Sequence, residues 1–203
     1  MAGTVVTIVV GLGNPGRRYR DTRHNVGFLV LEELRSRLGS PPEIERPQYR
    51  LWRTQVEGRD VMMAEPQLYM NKSGVSVRTL LEAEGHPAED LLVVCDDFHI
   101  EFGALRLRRQ GSHGGHNGLR SMIDVLRTRE FARLRVGIGP APEGTDQAEF
   151  VLEKFDQDQR RALPEVVGEA ADCVTLALSS GIEPAMNRFN GRSPAETAGP
   201  ATD

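Results

Sequence analysis

Val5-Val6-Thr7-Ile8-Val9-Val10-Gly11-Leu12-Gly13-Asn14-Pro15-Gly16 is the stretch on which the fold turns. Val5 to Val10 is β-branched throughout and stops at Gly11, the pattern of a strand covered on both faces. The glycines that follow satisfy G-x-G-x-x-G, the loop that cradles a dinucleotide pyrophosphate. That chemistry needs a helix to open at the third glycine, so that its amides meet the phosphates. Here Pro15 and the polar run Arg17 to Arg23 follow instead, and no apolar period begins before Val26. Glu32 and Glu33 fall in mid-helix, not at the end of a second strand where a ribose-binding acid belongs. A nicotinamide-dependent oxidoreductase is therefore set aside. The loop is read as presenting Asn14 at the carboxyl end of a buried strand, where α/β sheets take their ligands.

Outward from this loop, strands and helices alternate. Val26, Leu29, Val30, Leu34 and Leu38 recur at helical spacing up to Gly39, and Tyr49–Val56 with Val61–Ala64 reads as a hairpin. Val75–Glu84 is a second helix. Leu91–Cys95 is a second fully apolar strand, closed by Asp96-Asp97. Leu105 and Leu107 alternate with Arg106 and Arg108 in a half-exposed strand. A glycine-rich loop over 111–118 precedes a helix near 118–127, a strand through Leu134, Val136 and Ile138, and a long helix carrying Leu163 to Leu178. The expectation is α/β: a single domain with a twisted mixed β-sheet flanked by helices on both faces. Residues 1–190 form that domain, and 191–203 are read as a flexible C-terminal tail.

Composition narrows the class. The chain has 203 residues, of which 39% are hydrophobic, enough for a proper core. Met1–Thr4 has no basic leader region, and no apolar run approaches the roughly 18 residues of a membrane span. Cys95 and Cys173 lie in apolar surroundings without CxxC spacing and read as buried thiols. A cytoplasmic protein with no membrane contact is expected.

The net charge of −4 argues mildly against a nucleic-acid partner, but its distribution does not. Residues 104–139 carry eight arginines against Asp124 and Glu130, a local +6. Residues 14–24 carry four against Asp21, a local +3, whereas 143–172 come to −6, with nine acids against three cations. Of the 25 cations 23 are Arg, which a GC-rich genome alone would produce, yet they cluster around the two glycine loops. That placement favours a polyanionic ligand.

Chemistry-bearing residues gather in the same loops. His24 stands at the end of the first, Asp96-Asp97 closes the second buried strand, and Asn71 lies in Met70-Asn71-Lys72-Ser73-Gly74 ahead of a helix. Gly111 to Gly118 presents His116 and Asn117. A histidine oriented by an aspartate acts as a general base near neutral pH. Asparagine amides donate to a developing oxyanion without titrating. No covalent nucleophile stands out: Gln110 breaks a G-x-S-x-G match at Ser112, and neither cysteine neighbours a histidine. Direct attack by an activated water is the chemistry this set suits. The competing use is a metal held by His113 and His116 with Asp96, Asp97 and His99, but the histidines sit in a glycine loop rather than on a rigid helix.

Six stretches in order carry a resemblance. Val10-Gly-Leu-Gly-Asn-Pro-Gly16, Tyr19-x-x-Thr-Arg-His-Asn-Val-Gly27, Tyr69-Met-Asn-Lys-Ser-Gly74, Asp96-Asp97, Gly114-Gly-His-Asn-Gly-Leu119 and Phe131-x-Arg-Leu-Arg-Val-Gly-Ile-Gly139 resemble bacterial-type peptidyl-tRNA hydrolase, from about residue 5 to 190. The resemblance implies that His24 activates water against the ester joining peptide to the tRNA 3′ ribose, recycling tRNA during translation with no covalent intermediate. Asp96 would hold that base, Asn71 would donate to the oxyanion, and Asn14 would distinguish peptidyl-tRNA from aminoacyl-tRNA. Tyr19, Tyr69, Asn71 and Asn117, with Met70 and His116 beside them, would bind the acceptor end and the peptide. Arg106, Arg108 and Arg135 would meet the phosphate backbone. The resemblance implies no metal, no cofactor and a monomer. One departure is His99, where the family often carries an acid. A non-catalytic RNA- or ribosome-binding relative is the alternative, though a pure binder would need none of His24, Asp96, Asn14, Asn71 and Asn117.

Overall fold

The computed structural model describes residues 7–191. Seven strands form one sheet in the order β2-β3-β4-β1-β5-β7-β6. The central strands are β1 (Ile8–Gly11), β4 (Arg59–Pro66), β5 (Leu91–Glu101) and β7 (Ala132–Gly139). β1 runs parallel to β4 and β5, and β5 parallel to β7. The remaining strands, β2 (Glu43–Glu45), β3 (Tyr49–Val56) and β6 (Leu105–Arg108), pair antiparallel, so the sheet is mixed. The expected fold class holds.

β1 is buried on both faces because its side chains feed two cores. Val9 faces a cluster with Val30 and Leu34 of α1 (Val26–Arg37), Val167 and Val174 of α5 (Gln157–Ser180) and Phe189 of α6 (Ile182–Phe189). Ile8 and Val10 face the other side, with Val77 and Leu80 of α2 (Ser73–Glu84) and Leu119 and Met122 of α3 (Asn117–Leu126). The helices therefore cover both faces.

The first glycine loop departs from the dinucleotide pattern as its sequence required. After Gly16 the chain makes turns and one 3-10 turn, Arg23–Asn25, and α1 opens only at Val26. Gly11 and Gly27 serve a different purpose. A Cβ on Gly27 would stand 2.5 Å from the carbonyl oxygens of Leu12 and Val94, so both glycines let the start of α1 sit directly on β1 and β5.

Several boundaries differ from the sequence reading. Val5, Val6 and residues 192–203, which hold nearly all of the expected tail, lie outside the described residues. β5 continues six residues past Cys95, carrying Asp96 and Asp97 inside the strand, with its register against β7 shifting between Asp97 and Glu101. The short helix α4 (Gln147–Leu152) and α6 were not anticipated. α4 is too short to show a period, and α6 is cut from α5 by Gly181 at φ +95°.

Candidate active site

β1 and β5 deliver the first two components side by side. Gly11 pairs with Val94, so the loop leaving β1 runs beside Asp96. Asp96 is almost fully buried, and its Oδ1 accepts two hydrogen bonds, from His24 Nδ1 at 2.7 Å and from His116 Nε2 at 3.0 Å. The two imidazoles stand 5.0 Å apart, centroid to centroid.

The proton positions follow from the surroundings of His116. It caps α3: its Nδ1 accepts from the backbone N–H of Gly118 and of Leu119. A nitrogen that accepts two hydrogen bonds carries no proton, so the proton sits on Nε2 and points at Asp96. Burial lowers the pKa of His116 against the opposing pull of Asp96, consistent with a neutral ring. Burial also pushes Asp96 upward, but the two imidazole N–H groups that donate to it outweigh burial and hold the carboxyl well below its ordinary range. An ionised Asp96 fixes the His24 proton on Nδ1. His24 Nε2, which bonds to no described residue, then carries the lone pair of a base.

Asn14 is held on three sides. Its backbone N–H donates to Asn25 Oδ1 and its carbonyl accepts from Asn25 Nδ2, both at 2.9 Å, while its Oδ1 accepts from the Met70 N–H at 2.8 Å. Its Nδ2 donates to no described residue and remains available to a ligand. The bond to Met70 ties the Asn14 loop to the 3-10 turn Met70–Lys72, on which Asn71 is exposed. α3 closes the arrangement: a Cβ on Gly118 would stand 2.5 Å from Met70 Sδ and 3.0 Å from His116 Cε1. Asn117 is exposed at the first turn of that helix. Tyr19 and Tyr69 meet edge to face at 6.2 Å, and Tyr69 is 58% exposed.

The structure reassigns three residues expected to touch substrate. Met70 is buried and contributes a backbone donor to Asn14 rather than a surface. His116 is buried against Asp96 and turned inward by its capping role. Arg135 lies beneath the glycine-rich loop: its guanidinium donates to Asp97 Oδ2 and to the carbonyls of Ser112 and His113, each at 3.0–3.1 Å. Arg133 is bonded to the Gly111 carbonyl from the same side of β7. Arg106 and Arg108 pair in register with Arg135 and Arg133, and both are exposed on the edge strand β6. Among the described residues neither has a carboxylate within ion-pair distance.

His24, Asp96 and His116 place ligand-capable atoms within 4.8 Å of one another, a different set from the one the glycine-loop histidines suggested. The set does not fit a metal. His116 Nε2 must keep its proton while Nδ1 caps α3, so it has no lone pair to give. Of the other residues in that reading, Asp97 pairs with Arg135 and His113 accepts from the Gly115 N–H. His99 packs its ring on Phe98 and donates its backbone N–H to Asp97.

Two functional residues escaped the sequence reading. Asn25 enters the sequence reading only within the Tyr19–Gly27 motif and without a role, because a reciprocal amide pair across 11 positions leaves no local pattern. Arg23, just before His24, is buried, bonds to the Phe150 carbonyl, Glu153 and Gln159, and lies 4.3 Å over the Phe150 ring. It clamps the histidine turn onto α4, an element that was itself unseen.

Comparison with known proteins identifies the family. The family model described as peptidyl-tRNA hydrolase matches residues 8–197. The peptidyl-tRNA hydrolase of Chloroflexus aurantiacus is 45% identical over 90% of this chain and 98% of its own length. That of Mycobacterium avium is 43% identical over 90% of this chain and 96% of its own. The crystal structure of peptidyl-tRNA hydrolase from Acinetobacter baumannii superposes with a TM-score of 0.88 at 33% identity, covering 96% of this chain and 99% of that one. The fold and these relatives define a hydrolase. The chain belongs to the peptidyl-tRNA hydrolase family.

Proposed function

We propose that this protein hydrolyses the ester between the peptide and the 3′ ribose of peptidyl-tRNA, and so returns tRNA to translation. The observation that carries the mechanism is the short bond from His24 Nδ1 to a buried, ionised Asp96, which leaves His24 Nε2 as the base. Water bound at Nε2 attacks the ester carbonyl as His24 takes its proton. Asp96 stabilises the imidazolium that forms. The carbonyl oxygen becomes an oxyanion, for which the exposed Asn71 amide is a donor. When the intermediate collapses, the ribose oxygen leaves with the proton from His24, and the peptide acid gives its remaining water-derived proton to solvent and departs as the carboxylate. No covalent enzyme intermediate enters, and burial, which pushes both Cys95 and Cys173 up to about 12, disfavours a thiolate at either position.

Asn14 Nδ2 meets the substrate beside the scissile bond and distinguishes a blocked peptide from a free amine. Tyr19, Tyr69 and Asn117 hold the acceptor end and peptide, and Arg106 and Arg108 meet tRNA phosphates. In this reading residues 1–190 act as a cytoplasmic monomer without metal or cofactor.

The test is release of N-acetyl-amino acid from N-acetyl-aminoacyl-tRNA. His24→Ala is expected to lose about 10²–10⁴ in rate, as for a general base. Equal rates would remove His24 from the mechanism, and no turnover by the wild type would favour an RNA-binding relative.

A further inference from the structure

A cavity of about 430 Å³ opens next to Asn14 and shares that residue with the catalytic cleft, but does not include His24. Four guanidiniums line it: Arg17 and Arg20 from the loop after β1, Arg35 from α1 and Arg50 from β3. Unlike Arg23, Arg133 and Arg135, whose forks are engaged inside the fold, none of these four donates a hydrogen bond to a described residue. Their carboxylate neighbours stand off. Arg20 is 3.7 Å from Glu32, Arg35 is 3.7 Å from Glu65, and Arg50 is 3.5 Å from Glu43. Arg17 has no carboxylate in ion-pair range among the described residues. The Arg50 Nε is buried without a hydrogen bond. Arg35 lies 4.1 Å over the Trp52 ring, which holds its plane in place.

Four guanidiniums around one cavity, three of them ion-paired at 3.5–3.7 Å with Glu32, Glu43 and Glu65 of the same wall but none hydrogen-bonded, and one fixed by stacking, keep N–H donors free for an oxyanion. We propose that this cavity is an oxyanion subsite of the substrate, taking either a phosphodiester of the tRNA acceptor strand or a carboxylate of the peptide. The proposal rests on the esterase reading for its source of ligand. Glu65, buried at the cavity wall, competes for Arg35 and Arg50 from within the protein.

Trp52, the single tryptophan, reports on the cavity through the Arg35 guanidinium stacked on its ring. Titration of the full chain with inorganic phosphate is expected to change Trp52 fluorescence saturably. The double variant Arg17→Gln with Arg50→Gln should weaken that response about tenfold, the scale of a lost charge-assisted hydrogen bond. Glu65→Gln should strengthen it. In turnover the double variant should raise KM about tenfold with kcat within about twofold. If the ligand is a phosphodiester, KM rises equally for N-acetyl-Gln-Ala-tRNA and N-acetyl-Glu-Ala-tRNA, and the salt slope falls by about one. If it is a peptide carboxylate, only the glutamyl substrate is affected. A fluorescence signal that does not saturate, or a double variant that matches the wild type in both measurements, overturns the subsite. Saturable phosphate binding by a wild type that turns over no substrate overturns the esterase reading and leaves the oxyanion site standing.

Discussion

Asn14 and Asn25 exchange hydrogen bonds in both directions, backbone amide to side-chain oxygen one way and side-chain amide to backbone oxygen the other, each at 2.9 Å. This pair satisfies the buried backbone N–H and C=O of Asn14 in the loop after β1, where no regular element does so. The helix is thereby freed to start later, at Val26, behind His24.

Replacing Asn25 by Asp keeps the shape but turns the donor toward the Asn14 carbonyl into an acceptor. A buried carbonyl left without its donor costs about 1–3 kcal/mol. We expect Asn25→Asp to lose about that much stability in urea denaturation and to lower kcat/KM through displacement of Asn14. Unchanged values in both would show that the amide pair does not organise the loop.

Asp96→Asn should cost about 10³–10⁴ in kcat with the fold retained, because the amide no longer dictates which His24 nitrogen carries the proton. The same substitution has a signature in stability. A carboxylate held below its ordinary pKa stabilises the folded state above that range and loses its contribution as pH falls through it. Wild-type stability should therefore drop on acidification below about pH 4, and the variant should drop less steeply. Parallel acid curves would remove Asp96 as a paired anion.

His116→Asn separates the two roles of that side chain. Asparagine caps helices well, so α3 should keep its start, while the buried Asp96 that loses a donor should cost about 1–3 kcal/mol of stability. The shorter side chain does not reach Asp96, and kcat should fall about tenfold from a less well held carboxylate. A stability loss without a rate loss would confine His116 to a structural role.

Burial lifts the Glu65 carboxyl to about 7, against the pull of Arg35 and Arg50. Between its ordinary value of 4.5 and about 7, the folded protein holds a proton that the unfolded chain releases. Stability from this group is thus present at low pH and lost as pH rises through that window, by up to about 3 kcal/mol. Glu65→Gln should match the wild type near pH 4 and exceed it near pH 8. A difference independent of pH would contradict the burial.

What the sequence disclosed and what it withheld divide along a physical line. Ile8–Val10, Leu91–Cys95 and the apolar periods of α1, α2 and α5 were legible because burial writes itself as period and run length. Asn14 and His24 stand out in the sequence as polar residues of the loop after β1 and Asp96 as the acid behind an apolar run, although β5 carries Asp96 inside the strand, and six motifs in register point to a family. The use of each polar group was not legible. Arg106 and Arg135 oppose each other in register on one face of the sheet, yet Arg106 on the edge strand faces solvent and Arg135 on β7 is bonded under the glycine-rich loop, a difference settled by which strand the loop covers. The local +6 of residues 104–139 overstated the charge offered to a ligand, since Arg133 and Arg135 are engaged inside the fold and Arg109 is paired with Glu183. His116 read as a ligand-facing residue because a helix cap and a substrate contact have the same sequence signature.

Arg133 and Arg135 grip the glycine-rich segment solely through its carbonyl oxygens, at Gly111, Ser112 and His113. A grip of that kind is blind to side-chain identity. Position 112 is therefore open to replacement by any residue that keeps the backbone path, including a cysteine bearing a spectroscopic label. The rim of the catalytic cleft thus offers an attachment point for a reporter of substrate arrival, and the guanidiniums beneath it hold the labelled segment in its original shape.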